Sequence, residues 1–478
     1  MITGKNYIGN KLSALGKISH KTINPKLNIE NPTEFIEATS QEIEEAAQLA
    51  FEAFKAYRKV SGKEKASFLN AIADEILALD QELIDAYTTE SGLPEGRALG
   101  ERGRTIMQLK SFADLVSNEN WKNNSFDAAI PDRQPLPKDD LRKTVTPLGP
   151  VVVFGASNFP FAFSTAGGDT ASALAAGCPV ILKAHEMHSG TSELVASAII
   201  KAAEKTGMPN GVFSHLSGRG PIVGSALVNH PKVKAVGFTG SIGAGRAIFN
   251  LAAKREEPIP VYAEMGSINP VIITPTAIHN RGEAIASTYA GSITVGTGQF
   301  CTNPGLILTV ESDETEAFIQ DLAKKTVAIE PQCMLHPNIK IGFDKNGESV
   351  TSQNGVVTVA KIEGDVETNY AASDENQLVE IIEALEGQLT GTIIAENEDI
   401  ENLTDIVDAL SNRVGRIIFN GVPTGVEVCP SMHHGGPYPA SSDSKYTSVG
   451  VDAIYRWVRP VSYQSFPTEL LPESLKNN

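Results

Sequence analysis

The chain has 478 residues, too many for one compact core, so two or three domains are expected. Hydrophobic residues make up 41% and charged residues 20%, the balance of a globular protein. With 57 acidic against 40 basic residues the net charge is −17, which argues against nucleic acid or an anionic membrane as partner and requires a local basic site for any anionic ligand.

No stretch of the sequence approaches the roughly 20 apolar residues of a membrane span, and the start, Met1-Ile2-Thr3-Gly4-Lys5-Asn6-Tyr7, has no apolar leader core, so a cytoplasmic protein is expected. Ser40 to about Val116 carries apolar residues three and four apart, the helical period. Thr39 and Glu42 form a capping box that opens a helix over Ser40 to Arg58. Ser91-Gly92-Leu93-Pro94 breaks the pattern, and a further helix runs through Arg104 and Leu109.

Between about Val145 and Ala263 the pattern changes to short β-branched runs alternating with helices. The predicted order is strand Val151–Phe154, helix Ala166–Ala176, strand Pro179–Leu182, helix Ser192–Thr206, strand Val212–Leu216, helix Ile222–Asn229, strand Lys234–Phe238 and helix Ile242–Ala253. Such alternation means an α/β fold with a doubly wound parallel sheet of the dinucleotide-binding type, whose ligands lie beyond the carboxyl ends of the strands. Those ends carry Gly155-Ala156-Ser157-Asn158, Lys183-Ala184-His185-Glu186 and Thr239-Gly240-Ser241. A second α/β region follows from about Pro260 to Pro437, with strands at Val271–Ile273, Leu306–Leu308, Gly391–Ile394 and Arg416–Phe419. Tyr455 to Tyr463 reads as an exposed edge strand, either protected or paired with another subunit.

Cys301 stands in Gly298-Gln299-Phe300-Cys301-Thr302-Asn303-Pro304-Gly305, downstream of Ala263-Glu264-Met265-Gly266-Ser267. A thiolate among small residues is a strong nucleophile, and a carboxylate flanked by apolar residues is a natural general base, because burial raises its pKa. Taken singly, Cys301 fits a small core residue and Glu264 a solvated charge. Thr239 to Gly245 lies between a strand and a helix, where backbone amides meet a pyrophosphate, although it fits G-x-G-x-x-G poorly. The four cysteines Cys178, Cys301, Cys333 and Cys429 are widely spaced. Cys429 has His433 and His434 nearby, yet no second pair completes a zinc set, so neither a disulfide framework nor a metal site is expected.

Together these segments resemble the aldehyde dehydrogenase superfamily over nearly the whole chain. The carrying residues are Asn158 in Ser157-Asn158-Phe159-Pro160, Lys183 and Glu186, Phe238-Thr239-Gly240-Ser241, Glu264 with Gly266, and Cys301. A closer resemblance is to the α-ketoglutaric semialdehyde (2,5-dioxopentanoate) dehydrogenases. It rests on the runs Phe154 to Pro160, Ala166 to Pro179, Glu264 to Pro270, Leu385 to Thr390 and Pro423 to Cys429.

The resemblance implies an NAD(P)-binding domain at 1–122 and 147–259, a catalytic domain at 260–440 shortened around 337–380, and a small β oligomerisation element at 123–146 and 447–478 of a homodimer or homotetramer. It implies oxidation of an aldehyde to an acid, with Cys301 as nucleophile, Asn158 and the Cys301 backbone amide holding the oxyanion, and Glu264 activating water for thioester hydrolysis. The cofactor would meet Phe154, Gly155, Ala156, Ser157, Lys183, Glu186, Arg219, Gly240, Ser241, Met265 and Gly266. Glu186 suits a 2′-hydroxyl and repels a 2′-phosphate, which favours NAD, whereas Arg219 would accept the phosphate of NADP. Phe159, Arg104 and Gln108, with Arg102, would border the substrate tunnel.

The sequence departs from the family in one place. An E-x-F-G-P segment, whose Glu grips the nicotinamide ribose, is missing, and Lys361-Ile362-Glu363-Gly364-Asp365-Val366-Glu367-Thr368-Asn369-Tyr370 leads into Leu385-Glu386-Gly387 without it. Acyl transfer to coenzyme A is the alternative on the same fold, disfavoured by Glu264, and a non-catalytic homologue is the other, favoured only by the missing segment.

Overall fold

The computed structural model describes residues 1–118, 120–351 and 368–476. Its first sheet orders the strands Val261–Glu264, Ala235–Thr239, Val151–Phe154, Val180–Lys183, Phe213–Leu216, Asn6–Ile8 and Lys11–Ser13. The first five are parallel and the last two join antiparallel.

Alternation along these strands explains why both faces are covered. Val151, Val153, Val180 and Leu182 point into one apolar cluster with Ala171, Leu174, Ala196 and Ile199 of two helices. Val152, Phe154, Ile181, Val236 and Phe238 point the other way, onto Ala46, Ala47 and Ala50 of the helix Ser40–Tyr57. Strands buried on both faces read as continuous apolar runs, as Val151-Val152-Val153-Phe154 does. Each such Val or Ile contributes roughly 1.5–3 kcal/mol by leaving water.

The expected helices are present as Ser40–Tyr57, Glu95–Val116, Gly168–Ala176, Ser189–Lys205 and Ile242–Ala253. Thr39 and Glu42 make the capping box, and Glu42 also accepts from Ser13 Oγ at 2.6 Å, tying the N-terminal hairpin to the helix. Gly177 ends Gly168–Ala176 in the left-handed region with φ of 99°. Ile222–Asn229 differs from expectation: a π turn, Gly220–Gly224, precedes a short helix, Ser225–Asn229.

A second, wholly parallel sheet orders Thr368–Ala372, Leu306–Val310, Pro270–Ile273, Gln388–Ile394 and Val414–Phe419. A third, antiparallel, joins Val458–Gln464, Leu141–Pro147 and Ser125–Asp127.

The expected edge strand from Tyr455 begins only at Val458, because the residues before it are pinned to the first sheet's helices. Arg456 pairs with Asp169 at 2.8 Å, and the fully buried Trp457 donates from Nε1 to Ser172 Oγ at 2.7 Å. Trp457 also meets Tyr262 edge-on at 5.3 Å between ring centres, while Tyr455 donates to the Trp121 carbonyl. Among the described residues no helix is long and apolar enough to cross a membrane.

Candidate active site

The first sheet presents its carboxyl ends in one row, Thr239 beside Glu264, Phe238 beside Phe154, and Phe154 beside Lys183. Glu264 ends the edge strand, which the loop after Met432 closes. Met265 N donates to Ala440 O at 2.8 Å and Ser442 N to Ala263 O at 2.9 Å. Glycines let this loop pass between the two sheets: a Cβ on Gly387 would lie 2.1 Å from Pro437 O, and one on Gly415 would lie 1.9 Å from Gly435 O. The loop carries His434 and Ser448 into the site.

His434 Nδ1 lies 2.5 Å from Glu264 Oε1, and its Nε2 lies 3.6 Å from Cys301 Sγ. Ser448 Oγ donates to Glu264 Oε2. Burial alone would push the His434 imidazole down, but Glu264 and Cys301 outweigh it, and its pKa is pushed up to about 10. An imidazolium therefore stands between a thiol and a carboxylate.

The same pairing corrects the expectation for Glu264. Burial pushes its carboxyl up, yet His434 and Ser448 hold it below the usual carboxylate range. Ligand atoms of Glu264, Cys301 and His434 all lie within 4.8 Å of one another, a sulfur, nitrogen and oxygen set with metal-ligand chemistry, but the carboxylate and imidazole already bond each other.

Asn269, in the left-handed region with φ of 49°, holds the nucleophile's loop. Its Nδ2 donates to Cys301 O at 2.9 Å and to Asn303 O at 2.8 Å. Its Oδ1 accepts from Thr390 Oγ1 at 3.0 Å, and Gln388 Oε1 accepts from Ile268 N at 2.7 Å. Two of the sequence runs singled out above, Glu264 to Pro270 and Leu385 to Thr390, thus meet beneath Cys301.

Asn158 Nδ2 donates to Gln299 O at 2.8 Å, which uses one of the two protons that a side-chain amide carries. Beside it, Phe159 packs on Phe163 at 5.3 Å and on Phe300 at 5.1 Å, and the Arg97 guanidinium lies 4.7 Å from Phe159 and 4.4 Å from Phe300. Phe163 also faces His434 at 6.0 Å and carries Arg104 at 5.1 Å. Behind Phe300, a cavity of 380 Å³ is lined by Leu93, Arg97, Val295 and Glu330 among others. Arg104 and Gln108 face inward on the helix Glu95–Val116, whereas Arg102 turns outward to bond Asp80 O.

At the cofactor end, Lys183 Nζ lies 3.2 Å from Glu186 Oε1, which also accepts from Gly220 N at 3.1 Å. Burial pushes the Lys183 ammonium pKa down against the pull of Glu186. Arg219 is committed to Glu37, with Nε at 2.9 Å and an Nη at 3.2 Å, so two donors that a 2′-phosphate would need are occupied.

The glycines of this end are required first by packing. A Cβ on Gly155 would meet Ser164 Oγ, one on Gly240 the Phe238 ring, and one on Gly245 the Met265 sulfur, each at 2.6 Å. Phe154 packs edge-on to Phe238 at 5.8 Å, Ala156 O bonds His188 Nε2 at 2.7 Å, and Gly266 faces Ile242. Ser157 lies half-buried in the turn between them. Ser241 caps the helix Ile242–Ala253 by accepting from Ala244 N. The run Lys361 to Glu367, where the family pattern is broken, lies outside the described residues.

Sequence reasoning placed Cys301, Glu264 and Asn158 at one site, and the structure brings them together. It missed His434, Ser448, Arg97 and the wall of Phe163 and Phe300. His434 gave one signal, the glycine pair after it in His433-His434-Gly435-Gly436, which marks a tight passage.

A profile of the aldehyde dehydrogenase family matches residues 15–380. The chain is 45% identical over its full length to a protein of Azospirillum brasilense named alpha-ketoglutaric semialdehyde dehydrogenase 2, with 97% of that protein covered. It is 41% identical over 99% of its length to an alpha-ketoglutaric semialdehyde dehydrogenase of Acinetobacter baylyi, with 96% covered. The first alignment spans 514 positions against 478 residues here, so that relative carries segments this chain lacks. Among solved structures, betaine aldehyde dehydrogenase from Staphylococcus aureus in complex with NAD+ superposes with a TM-score of 0.83 at 18% identity, covering 98% of this chain and 96% of that one. A Thermus 1-pyrroline-5-carboxylate dehydrogenase with bound NAD gives 0.82 at 20% identity, covering 96% and 92%.

Proposed function

The chain belongs to the aldehyde dehydrogenase family and oxidises an aldehyde to a carboxylic acid with NAD(P), and on that premise we propose that its substrate is 2,5-dioxopentanoate and that Cys301, His434 and Glu264 do the chemistry. The substrate follows the names of the two full-length relatives. The observation that carries the site is the chain of contacts from thiol to imidazole to carboxylate at the carboxyl end of the first sheet.

His434, held as imidazolium with Glu264 compensating its charge, stabilises the Cys301 thiolate once the thiol proton has left to solvent. The Cys301 thiolate attacks the aldehyde carbon, and the second N–H of Asn158 with the Cys301 backbone amide receives the oxyanion. Lys183 and Glu186 would hold a nicotinamide dinucleotide, and the chemistry it would supply is acceptance of a hydride from the Cys301 thiohemiacetal. Water then attacks the thioester, its proton passes to the Glu264–His434 pair, and Cys301 leaves as thiolate with release of the acid.

A buried ammonium and a half-exposed carboxylate side by side at a strand end fit the hydroxyls of an adenosine ribose, so Lys183 and Glu186 would hold that half of the cofactor. Glu186 and the occupied Arg219 both favour NAD over NADP. The four free thiols suit a reducing compartment such as the cytoplasm, and the free edge of the third sheet suits assembly with further copies of the chain.

Steady-state rates with 2,5-dioxopentanoate, succinic semialdehyde and pentanal, each with NAD and with NADP, test this reading. The highest kcat/KM is expected for 2,5-dioxopentanoate with NAD. A lower value than for pentanal would overturn the substrate assignment.

A further inference from the structure

An anionic semialdehyde in a chain of net charge −17 needs a cation beside the thiol. Three arginines reach that neighbourhood. Arg97 donates to Asn158 O at 3.2 Å and lies 3.6 Å from Glu101, so its charge is already met. Arg416 donates to Gly425 O at 2.8 Å and Pro423 O at 2.7 Å, holding a loop.

Arg104 differs from both. It stands seven residues after Arg97 on the same helix face, over Phe163, and one of its Nη atoms is buried without an acceptor among the described residues. No ion pair of Arg104 is found there, although Cys301, Glu101, Glu264 and Glu427 all lie within electrostatic reach. Leaving a buried charged donor unsatisfied is costly, and a ligand carboxylate removes that cost. Gln108, one turn further on, brings a second buried donor, Nε2, that also lacks an acceptor there.

We propose that Arg104 binds the distal carboxylate of the substrate and, with Gln108 beside it for the adjacent keto oxygen, makes the enzyme selective for α-keto semialdehydes. This rests on the substrate reading above. Guanidinium and carboxylate pair through two parallel hydrogen bonds, and a carboxamide donates well to a ketone. The aldehyde end of the same molecule then faces Cys301 past Phe163 and His434.

Arg104→Met, assayed with NAD, tests the assignment against 2,5-dioxopentanoate and against pentanal, which has the same carbon number and no charge. Loss of one charge-assisted contact predicts a fall in kcat/KM for 2,5-dioxopentanoate of roughly ten- to a hundredfold, chiefly through KM. Pentanal oxidation should fall much less than that of the anionic substrate, and its inhibition by 2-oxoglutarate should weaken in step with the anionic substrate. Arg104→Lys should fall between the two, and it carries the same comparison if Arg104→Met fails to fold.

Equal losses with both aldehydes, or retained selectivity in Arg104→Met, would overturn the role of Arg104 while leaving the substrate reading intact. A wild-type enzyme without preference for 2,5-dioxopentanoate would overturn both.

Discussion

Replacing His434 with Gln removes the charge between Cys301 and Glu264 while keeping a neutral donor of similar reach. Removing a preorganised charged donor costs roughly 10²–10³ in rate, and with Nε2 at 3.6 Å from the sulfur that loss falls on the attack step. The NADH burst should therefore slow by roughly two to three orders of magnitude. Attack then limits the burst, so the deuterium isotope effect from 1-deuterated aldehyde should shrink toward unity. Inactivation by iodoacetamide, with neither aldehyde nor cofactor present, should slow as well, because it depends on the same thiol.

Stability responds in a defined direction. The His434 pKa is raised in the folded chain from 6.5 to about 10, so its contribution is full below 6.5 and is lost as pH climbs through about 10. Breaking a buried pair costs roughly 3–5 kcal/mol, with Gln at the low end because it still bonds Glu264. Urea denaturation should show wild type losing stability between about pH 7 and about pH 9.5, with a shallower slope in His434→Gln. A burst within about threefold of wild type would refute this account of the thiol.

Two further substitutions probe neighbouring groups. Glu264→Gln should slow both the burst and the steady state, since it removes the counter-ion of His434 as well as the acceptor of water's proton; an unchanged burst would show that His434 works without it. Glu186→Thr should raise the NADP to NAD ratio of kcat/KM by about tenfold or more, worth ~1.4 kcal/mol, and an unchanged ratio would place recognition of the 2′ position elsewhere.

The sequence made the first sheet legible because its strands are apolar on both faces and its helices are rich in Ala at regular spacing. The N-terminal strands Ser19–Asn24 and Ile29–Ile36 were not legible, since Ile29-Glu30-Asn31-Pro32-Thr33-Glu34 is polar, mostly exposed and carries no alternation of apolar residues. Val261–Glu264 was not legible as a strand of the first sheet because Val261-Tyr262-Ala263-Glu264 is no β-branched run and a loop rather than a second strand closes its outer side. At the site, the nucleophile and its carboxylate were legible through the family's motifs, since taken singly Cys301 fits a core residue and Glu264 a solvated charge. His434 did not, because its role comes from a loop that travels 133 residues beyond Cys301 to return beside it, a long-range contact with no period to betray it. Arg102 and Arg104 looked alike in sequence, and only the rotation of the helix separates the one that bonds Asp80 O from the one that buries an Nη atom beside Phe163.

The chain has two tryptophans, and both sit where the C-terminal segment docks onto the first sheet's helices, Trp457 against Tyr262 and Trp121 against Tyr455. The catalytic cluster contains no indole. Intrinsic emission from this protein therefore reports on that docking, while turnover reports on the loop that carries His434. Denaturation followed by the two signals tracks two different parts of one molecule. Any gap between the curves measures how independently the C-terminal anchor and the reactive thiol's surroundings come apart.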